Sequence, residues 1–295
     1  MQKFIVDIKN FIAQNTDFVI DENPAGFPDT PFSYLFFPEK NLVLHCVSLE
    51  NVVENDTFFQ KLSQQFAQKD IRVIHLWEDV WQTKRSIVES RLMSLFGKSE
   101  TIPARLTQVQ RIDKPTMDKF LINNHLQSKV NAKLKYGLFL SSRYFRVIQN
   151  EKVLQENINK DSFLVAVATF SNAKKIIREG QEYRSYELIR FANYKGFTVV
   201  GGLNKLLKMF IDEHAPDDIM TYADADWSDG SNYEKIGFER IEQTAPLTFE
   251  LDNETFTRKL ADDTPRLQGE GFRVRCFNSG NWKFLMKLKD DAARE

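Results

Sequence analysis

The stretch YELIRFANYKGFTVVGGLNKLLKMFIDEHAPDDIMTYADADWSDGSNYEKIGF, residues 186–238, decides the fold that the sequence predicts. It contains an extended run (residues 186–193), a glycine turn (201–202) and a helix that includes residues 203–210. A second buried strand (218–224) follows, and then a short helix that closes on Gly237 and Phe238. The helix is predicted because four apolar residues recur at the spacing of one helical face. These residues are Leu203, Leu206, Leu207 and Phe210.

The paired glycines Gly201 and Gly202 stand immediately before the predicted helix. Glycine accepts a positive φ and lets the backbone come close to a ligand, and the first N–H groups of a helix have no partner within it. Such a turn suits a phosphate, because the positive end of the helix dipole adds to these donors. A tight turn without a ligand is the other interpretation that two glycines allow.

The end of the stretch carries a more specific pattern. Residues 233–238 read Tyr-Glu-Lys-Ile-Gly-Phe, and this ending resembles the Gcn5-related N-acetyltransferase (GNAT) superfamily. The resemblance implies an α/β fold with an acyl-CoA N-acyltransferase-like mixed sheet flanked by helices, and acetyl-CoA or a related acyl-CoA between two central strands. At residues 199–202 the usual basic residue and two spaced glycines are replaced by Val-Val-Gly-Gly. The cofactor-binding residues that the resemblance implies are Val199, Val200, Gly201, Gly202, Leu203 and Asn232.

Acylation of an amine needs one group that takes a proton from the nitrogen and another that protonates the departing thiolate. By resemblance, Glu187 on the first central strand is the candidate base and Tyr233 the candidate acid. Successive side chains of a strand alternate between its faces, so Glu187 can instead pair with Arg190 or Arg184 on the surface.

A narrower resemblance is to the Mom-like branch of the superfamily, from phages and mobile elements, whose members modify DNA bases or accompany nuclease domains. It implies a functional role for Asp224 and substrate-binding roles for His125 and Gln127, whose segment borders the acceptor cleft. Arg190, on the same strand as Glu187, is a further substrate-binding candidate. His125 ends a predicted helix, where the helix dipole favours an imidazolium; a capping role is the alternative. The segments that carry this resemblance are IPAR at 102–105, NHLQ at 124–127, VGGLNKLL at 200–207 and TYADADWSDG at 221–230.

The charges of the chain nearly balance, with 40 Lys and Arg against 41 Asp and Glu. No overall field therefore draws the protein to nucleic acid, and contact with DNA would need a local patch. The best local candidate is a predicted loop at residues 171–185, which contains Lys174, Lys175 and Arg184.

The two cysteines, Cys46 and Cys276, are far apart and form no C-x-x-C, so neither a zinc ribbon nor a disulfide framework is predicted. No metal site is assigned. No segment approaches the roughly 18–20 apolar residues of a membrane span, and residues 1–15 lack the apolar core of a signal peptide. A cytoplasmic protein without a membrane segment is expected.

Residues 1–98 predict a smaller α/β domain of their own. Two apolar runs joined by Pro-Glu-Lys-Asn at 38–41 read as a hairpin, followed by a helix at 57–68 and a buried strand at 71–77. The series resembles very-short-patch-repair or homing-type members of the restriction-endonuclease-like domains. That family places metal-binding carboxylates where this chain has Ser33 or Tyr34 and His45, so we expect a degenerate domain without nuclease activity. His75 is expected to be a packed histidine.

The sequence therefore predicts two domains, an endonuclease-like domain over residues 1–98 and a GNAT-like domain over residues 99–295. The expected function is a GNAT-like N-acyltransferase that depends on acyl-CoA, with base modification of nucleic acid as the specific activity that the Mom-like resemblance implies. The alternative is a non-catalytic nucleic-acid-binding accessory protein of a phage or mobile element. Calorimetry with acetyl-CoA and a DNA mobility-shift assay distinguish the two.

Overall fold

The structure is a computed structural model that describes residues 2–51, 55–127, 130–178, 180–252, 254–261 and 273–289. Its helices are α1 (Gln2–Asn15), α2 (Phe58–Ala67), α3 (Glu78–Leu95), α4 (Lys114–Asn124), α5 (Glu151–Asn157), α6 (Gly202–His214) and α7 (Ser231–Glu234). Its strands are β1 (Asp21–Glu22), β2 (Ser33–Phe37), β3 (Leu42–Val47), β4 (Arg72–Trp77), β5 (Glu100–Pro103), β6 (Thr107–Arg111), β7 (Leu134–Ser141), β8 (Ser162–Phe170), β9 (Lys174–Arg178), β10 (Gln181–Asn193), β11 (Phe197–Val200), β12 (Asp218–Asp224), β13 (Glu239–Gln243), β14 (Thr248–Asp252), β15 (Arg258–Leu260), β16 (Arg273–Phe277) and β17 (Asn281–Lys287).

The chain forms two compact units, each assembled from three separate segments. The first unit contains the residues up to Arg85 together with Ala223–Ser231 and Ile241–Lys283, and the second contains Ser86–Tyr222, Asn232–Arg240 and the residues from Phe284 onward. Helix α3 is interrupted at Lys84, where φ is −129° and ψ is 25°, next to the end of the first segment. The predicted division between residues 98 and 99 stays a prediction.

The first unit contains a four-stranded sheet in the order β1-β2-β3-β4, in which only the β3–β4 pair is parallel. The predicted hairpin is confirmed as β2 and β3, and the predicted buried strand as β4. The predicted helix is α2, which buries Phe59, Leu62 and Phe66 because they recur on one helical face. A second sheet in this unit has the order β15-β14-β16.

The main sheet has the strand order β13-β17-β12-β10-β8-β7-β6, and β9 pairs with β10. It is mixed, because β10 runs parallel to β12 and antiparallel to β8. The expected fold class, an α/β fold with a mixed sheet flanked by helices, is therefore confirmed. Among the helices of the described residues, none is long and apolar enough to cross a membrane.

Helices cover both faces of the strands β8 and β10 in the second unit. On one face, the Phe210 ring of α6 stacks on Phe170 of β8, with ring centroids 3.8 Å apart. On the other face, Phe120 and neighbouring residues of α4 pack in one cluster with Val167 and Ala192. The predicted helix is confirmed as α6, which begins after Gly201 in the left-handed conformation and ends at Ala215 in the same conformation.

The predicted loop at residues 171–185 is wrong. Residues 174–178 form β9, which pairs antiparallel with the first part of β10 from Gln181↔Arg178 to Ser185↔Lys174. The interpretation failed because this hairpin buries only alternate residues of β10, including Tyr183 and Ser185, while most of its polar side chains stay exposed. A strand that is largely solvated carries little apolar signal.

Candidate functional site

The strands β10 and β12 are paired over only part of their lengths. Their parallel register runs from Ser185↔Asp218 to Leu188↔Thr221, although β10 continues to Asn193. At the last pair, the Thr221 hydroxyl donates a hydrogen bond of 2.9 Å to the Leu188 carbonyl oxygen. Backbone groups of β10 beyond Leu188 are thus outside the ladder to β12, and strand edges of this kind pair readily with an extended ligand.

A β-bulge follows directly on β10. Opposite β8, Leu188 pairs with Phe170 and Arg190 with Thr169, so Ile189 is an extra residue. Cross-strand partners share a face of the sheet, and Phe170 faces α6. Arg190, the partner of Thr169, therefore lies on the face opposite α6.

The bulge changes how two predicted site residues are related. Glu187 and Arg190 are three positions apart, and regular alternation would put their side chains on opposite faces. Because the bulge adds one residue between them, both lie on the face opposite α6. Glu187 is half-buried, and its backbone exchanges two hydrogen bonds of 2.9 Å with Ser171.

Tyr233 lies beside the point where β10 and β12 separate. The Thr221 side chain interacts with its hydroxyl, and its ring packs on Phe238 and Phe284 with centroids 5.6 and 5.4 Å away. Burial raises the pKa of the Tyr233 hydroxyl, while the Thr221 side chain and the charges of Arg91 and Arg190 act in the opposite direction. Tyr233 therefore keeps its proton at neutral pH and can act as a donor.

His125 is affected by the same two arginines that act on Tyr233. Burial and the positive charges of Arg91 and Arg190 lower its pKa to about 3. Its Nδ1 atom accepts a hydrogen bond of 3.1 Å from the Gln127 backbone N–H, so the neutral ring carries its hydrogen on Nε2. The expected imidazolium is therefore wrong, because two guanidinium groups and desolvation outweigh the dipole of α4. His125 is also the C-cap residue of that helix, where its N–H donates to Leu121.

The glycine turn has the geometry that the sequence predicts. Gly201 has φ = +76° and no side chain caps the N-terminus of α6. The turn is accessible, since Gly201 is exposed and 56% of Val200 is exposed. Gly202 instead serves packing, because a Cβ there would lie 3.0 Å from the Val199 side chain and 3.2 Å from Leu138.

The other predicted site residues are dispersed. Asp224 belongs to the first unit, where its side chain accepts a hydrogen bond of 3.0 Å from the Asp226 N–H. Asn232 is exposed on α7, and Gln127 is exposed after α4. Within the second unit, electrostatic contacts join Tyr233, Arg190 and His125, and Glu187 shares a face with Arg190.

Sequence reasoning did not single out Asp226, which is buried in the first unit. Its carboxylate accepts hydrogen bonds from the Ser279 N–H at 2.7 Å and the Trp77 indole at 3.2 Å. Asp79 and Arg258 form a bidentate ion pair in the same unit, with nitrogen–oxygen distances of 2.5 and 2.6 Å. The Arg258 guanidinium also lies 4.8 Å from the centre of the Trp77 ring.

Two buried histidines occupy the place where the endonuclease-like resemblance implies a metal site. Tyr34 and His45 are cross-strand partners, 3% and 0% exposed, so His45 has no access to solvent. The Nδ1 atoms of His45 and His75 are 2.9 Å apart. Packing of His75 is confirmed by its exposure of 0%. Among the described residues, no three His, Cys, Asp or Glu side chains are grouped so that they could hold a metal ion.

Each histidine of the pair also lies beside a hydroxyl group. Thr30 Oγ1 lies 2.8 Å from His45 Nε2, and Ser63 Oγ lies 2.9 Å from His75 Nε2. All four hydrogen bonding positions are satisfied when both rings are neutral, because one Nδ1 donates to the other and each Nε2 meets a hydroxyl that both donates and accepts. Protonation of both rings would make two Nδ1–H groups face each other.

No protein-family model and no curated protein matches the chain. Solved structures that are similar to the chain include two acetyltransferases. The ribosomal-protein-S18-alanine N-acetyltransferase from Escherichia coli is 13% identical, with 64% of this chain and 98% of that chain covered and a TM-score of 0.33. The histone acetyltransferase HPA2 and related acetyltransferase from Corynebacterium glutamicum is 12% identical, with 63% and 99% covered and a TM-score of 0.32.

Proposed function

We propose that the second unit is a GNAT-like N-acyltransferase that uses acetyl-CoA or a related acyl-CoA. The observation that carries the proposal is the end of the β10–β12 ladder at Leu188↔Thr221, where the Thr221 side chain interacts with the Tyr233 hydroxyl. A parallel pair that stops pairing while β10 continues presents backbone donors and acceptors to a ligand with amide groups of its own. The protonated tyrosine is held beside that opening.

The described residues fit an acyl-CoA. The exposed turn at Val200 and Gly201 leads into α6, whose first N–H groups have no side-chain cap and suit a pyrophosphate. The edge of β10 beyond Leu188 suits the amides of the pantetheine arm. When bound, acyl-CoA supplies an activated thioester that an amine can attack.

Two residues of the chain carry the proton transfers in this proposal. The Glu187 carboxylate takes the proton that the attacking amine loses, and the Tyr233 hydroxyl gives its proton to the departing thiolate sulfur. Glu187 is half-buried on the face that it shares with Arg190. The raised pKa of Tyr233 supports its role, since a donor must hold its proton until the thiolate leaves.

The acceptor in this proposal carries negative charge. Arg91 and Arg190 both act electrostatically on His125 and Tyr233, so the acceptor side of the site is positive. The neutral His125 ring adds a donor at Nε2 without adding charge. A phosphate-bearing nucleic acid is the acceptor class that the Mom-like resemblance implies, and base modification is the finer form of this proposal.

Changing Gly201 to aspartate tests whether the turn binds the donor. Aspartate tolerates the left-handed conformation better than most residues and can cap α6 itself, so folding is retained. Its carboxylate would occupy the N–H groups and repel a pyrophosphate. We expect the Kd for acetyl-CoA, measured by calorimetry, to rise at least about tenfold, which corresponds to about 1.4 kcal/mol.

Gly97→Asp is the matched control, because Gly97 has φ = +74° with open space around it and lies elsewhere in the second unit. Its Kd for acetyl-CoA should equal that of the unchanged protein. Gly202 is a poor test position, since any side chain there disturbs packing. Failure of the unchanged protein to bind acetyl-CoA at millimolar concentration would contradict the proposal, as would unchanged affinity in Gly201→Asp.

Changing Tyr233 to phenylalanine removes the candidate acid and keeps the ring. We expect kcat to fall by about 10²-fold while the Kd for acetyl-CoA stays within about twofold, since general acid catalysis contributes about 10²–10⁴-fold. The assay is release of free thiol from acetyl-CoA with a panel of amines and with single-stranded and duplex DNA.

Tyr222→Phe is the control for this prediction, because Tyr222 is an exposed tyrosine on β12. It should retain full activity. Equal rates for Tyr233→Phe and the unchanged protein would exclude the acid role, and absence of thiol release with every acceptor would contradict turnover.

A further inference from the structure

The second unit contains a groove of ≈ 580 Å³ that the proposed transfer reaction does not use. Residues of α4 and α5, the start of β8 and the residues after β10 line it. Neither Tyr233, Glu187 nor His125 is among them. Its volume falls within the range of about 300–1,000 Å³ that is typical of small-molecule sites.

Aromatic rings form part of the groove wall. Tyr194 is half-buried, and Phe163 holds its ring in an edge-to-face contact with centroids 4.8 Å apart. Phe120 lies on another side of the same ring, 6.3 Å away. A ring fixed by such contacts loses little freedom when a flat ligand stacks on it, and every nucleobase has a face that can stack.

The charged groups of the groove are mainly cationic. Lys119, Lys160 and Lys195 come from three different segments, and Glu156 is the carboxylate that lines the groove with them. Lys160 is directed by a hydrogen bond of 2.7 Å to Asn157, which also lines the groove. Burial, together with the charge of Glu156, raises the pKa of the Tyr194 hydroxyl, so this hydroxyl stays a donor. An anionic ligand with an aromatic part matches this combination.

We infer that this groove binds a nucleoside monophosphate, with the base against Tyr194 and the phosphate near Lys119 and Lys160. The flat base stacks on the Tyr194 ring, and the ammonium groups of the lysines pair with the charged phosphate. The Glu156 carboxylate accepts a hydrogen bond from an amino or hydroxyl group of the nucleoside. The inference does not depend on the proposed transferase activity.

Calorimetry with three related ligands tests the inference on the full chain. We expect AMP to bind at least about tenfold more tightly than adenosine, which lacks the phosphate, and than ribose 5-phosphate, which lacks the base. Equal affinity for AMP and either fragment, or no binding of AMP at millimolar concentration, would overturn it. Displacement of AMP by a short single-stranded oligodeoxyadenylate would assign the groove to a nucleotide within nucleic acid; without displacement, the groove is assigned to a free nucleotide.

Two variants that reverse the charge of a lysine test whether AMP binds in this groove. Lys160→Glu should weaken AMP binding at least about fivefold, because a carboxylate replaces an ammonium at the groove. Lys152→Glu on α5 makes the same change at an exposed position outside the lining, and it should bind AMP normally. An equal loss in both variants would overturn the assignment.

Acetyl-CoA itself contains an adenine nucleotide, so the two candidate sites must be separated. Gly201→Asp should retain AMP binding, and Lys160→Glu should retain acetyl-CoA binding. Loss of AMP binding in Gly201→Asp would overturn the groove as the nucleotide site. Failure of acetyl-CoA binding in the unchanged protein, with AMP binding intact, would contradict only the proposed transferase function.

Discussion

Replacing Arg258 by methionine is expected to lower the free energy of unfolding of the first unit by about 3–5 kcal/mol. The substitution leaves the Asp79 carboxylate, whose side chain is 4% exposed, without the guanidinium that makes two hydrogen bonds to it. An uncompensated buried charge costs far more than the net gain from forming the pair. Chemical denaturation followed by tryptophan fluorescence measures the loss.

Tryptophan fluorescence reports on the first unit alone, because all four tryptophans of the chain belong to it: Trp77, Trp81, Trp227 and Trp282. The control is the double variant Arg258→Met with Asp79→Leu, which removes both charges. It should recover at least half of the lost stability, since apolar replacement of a buried pair is often neutral. A decrease in the free energy of unfolding of less than about 1 kcal/mol in Arg258→Met would contradict the expectation that the Asp79 charge is buried.

Acid is expected to destabilise the first unit through His45 and His75. Burial lowers the pKa of His75 to about 3, and burial together with the neighbouring His75 lowers that of His45 well below its usual range. In the unfolded chain both titrate near 6.5, so below that pH the unfolded state binds more protons. The stability from the neutral pair is thus present above pH 6.5 and is lost as the pH falls toward 3.

The expected loss between pH 7 and pH 5 is about 2 kcal/mol for each histidine, or about 4 kcal/mol together. Urea unfolding at half-unit pH intervals, followed by tryptophan fluorescence, measures it. The double variant His45→Leu with His75→Leu keeps the carboxylates and should lose most of the pH dependence between 7 and 5. A change below about 1 kcal/mol in the unchanged protein over this interval would contradict the prediction.

The parts of the fold that follow from local sequence could be predicted. The spacing of Leu206, Leu207 and Phe210 predicted α6 because one helical face must be apolar to pack. Gly201 adopts the positive φ that a glycine before a helix permits. The resemblance named Tyr233 as the candidate acid, and Thr221 of the central strand β12 interacts with its hydroxyl.

The remaining features depend on residues that are distant in the sequence. The bulge at Ile189 exists only relative to β8, and a single strand carries no local sign of it. Asp226 is one of three aspartates in a short segment, and its burial is set by Ser279 and Trp77, which are 53 and 149 positions away. The neutral state of His125 depends on Arg91 and Arg190 in other elements.

The assembly of each unit from three segments has a consequence for synthesis on the ribosome. Domains generally fold in order from the N-terminus as they emerge, provided that each is contiguous. Here the first unit needs Ile241–Lys283, so its sheet β15-β14-β16 cannot form until most of the second unit has already emerged. The aromatic interior around Phe32 and Phe59 in the nascent N-terminal segment therefore stays partly exposed until that later segment has been synthesised. This N-terminal segment is the part of the chain for which a chaperone would matter most.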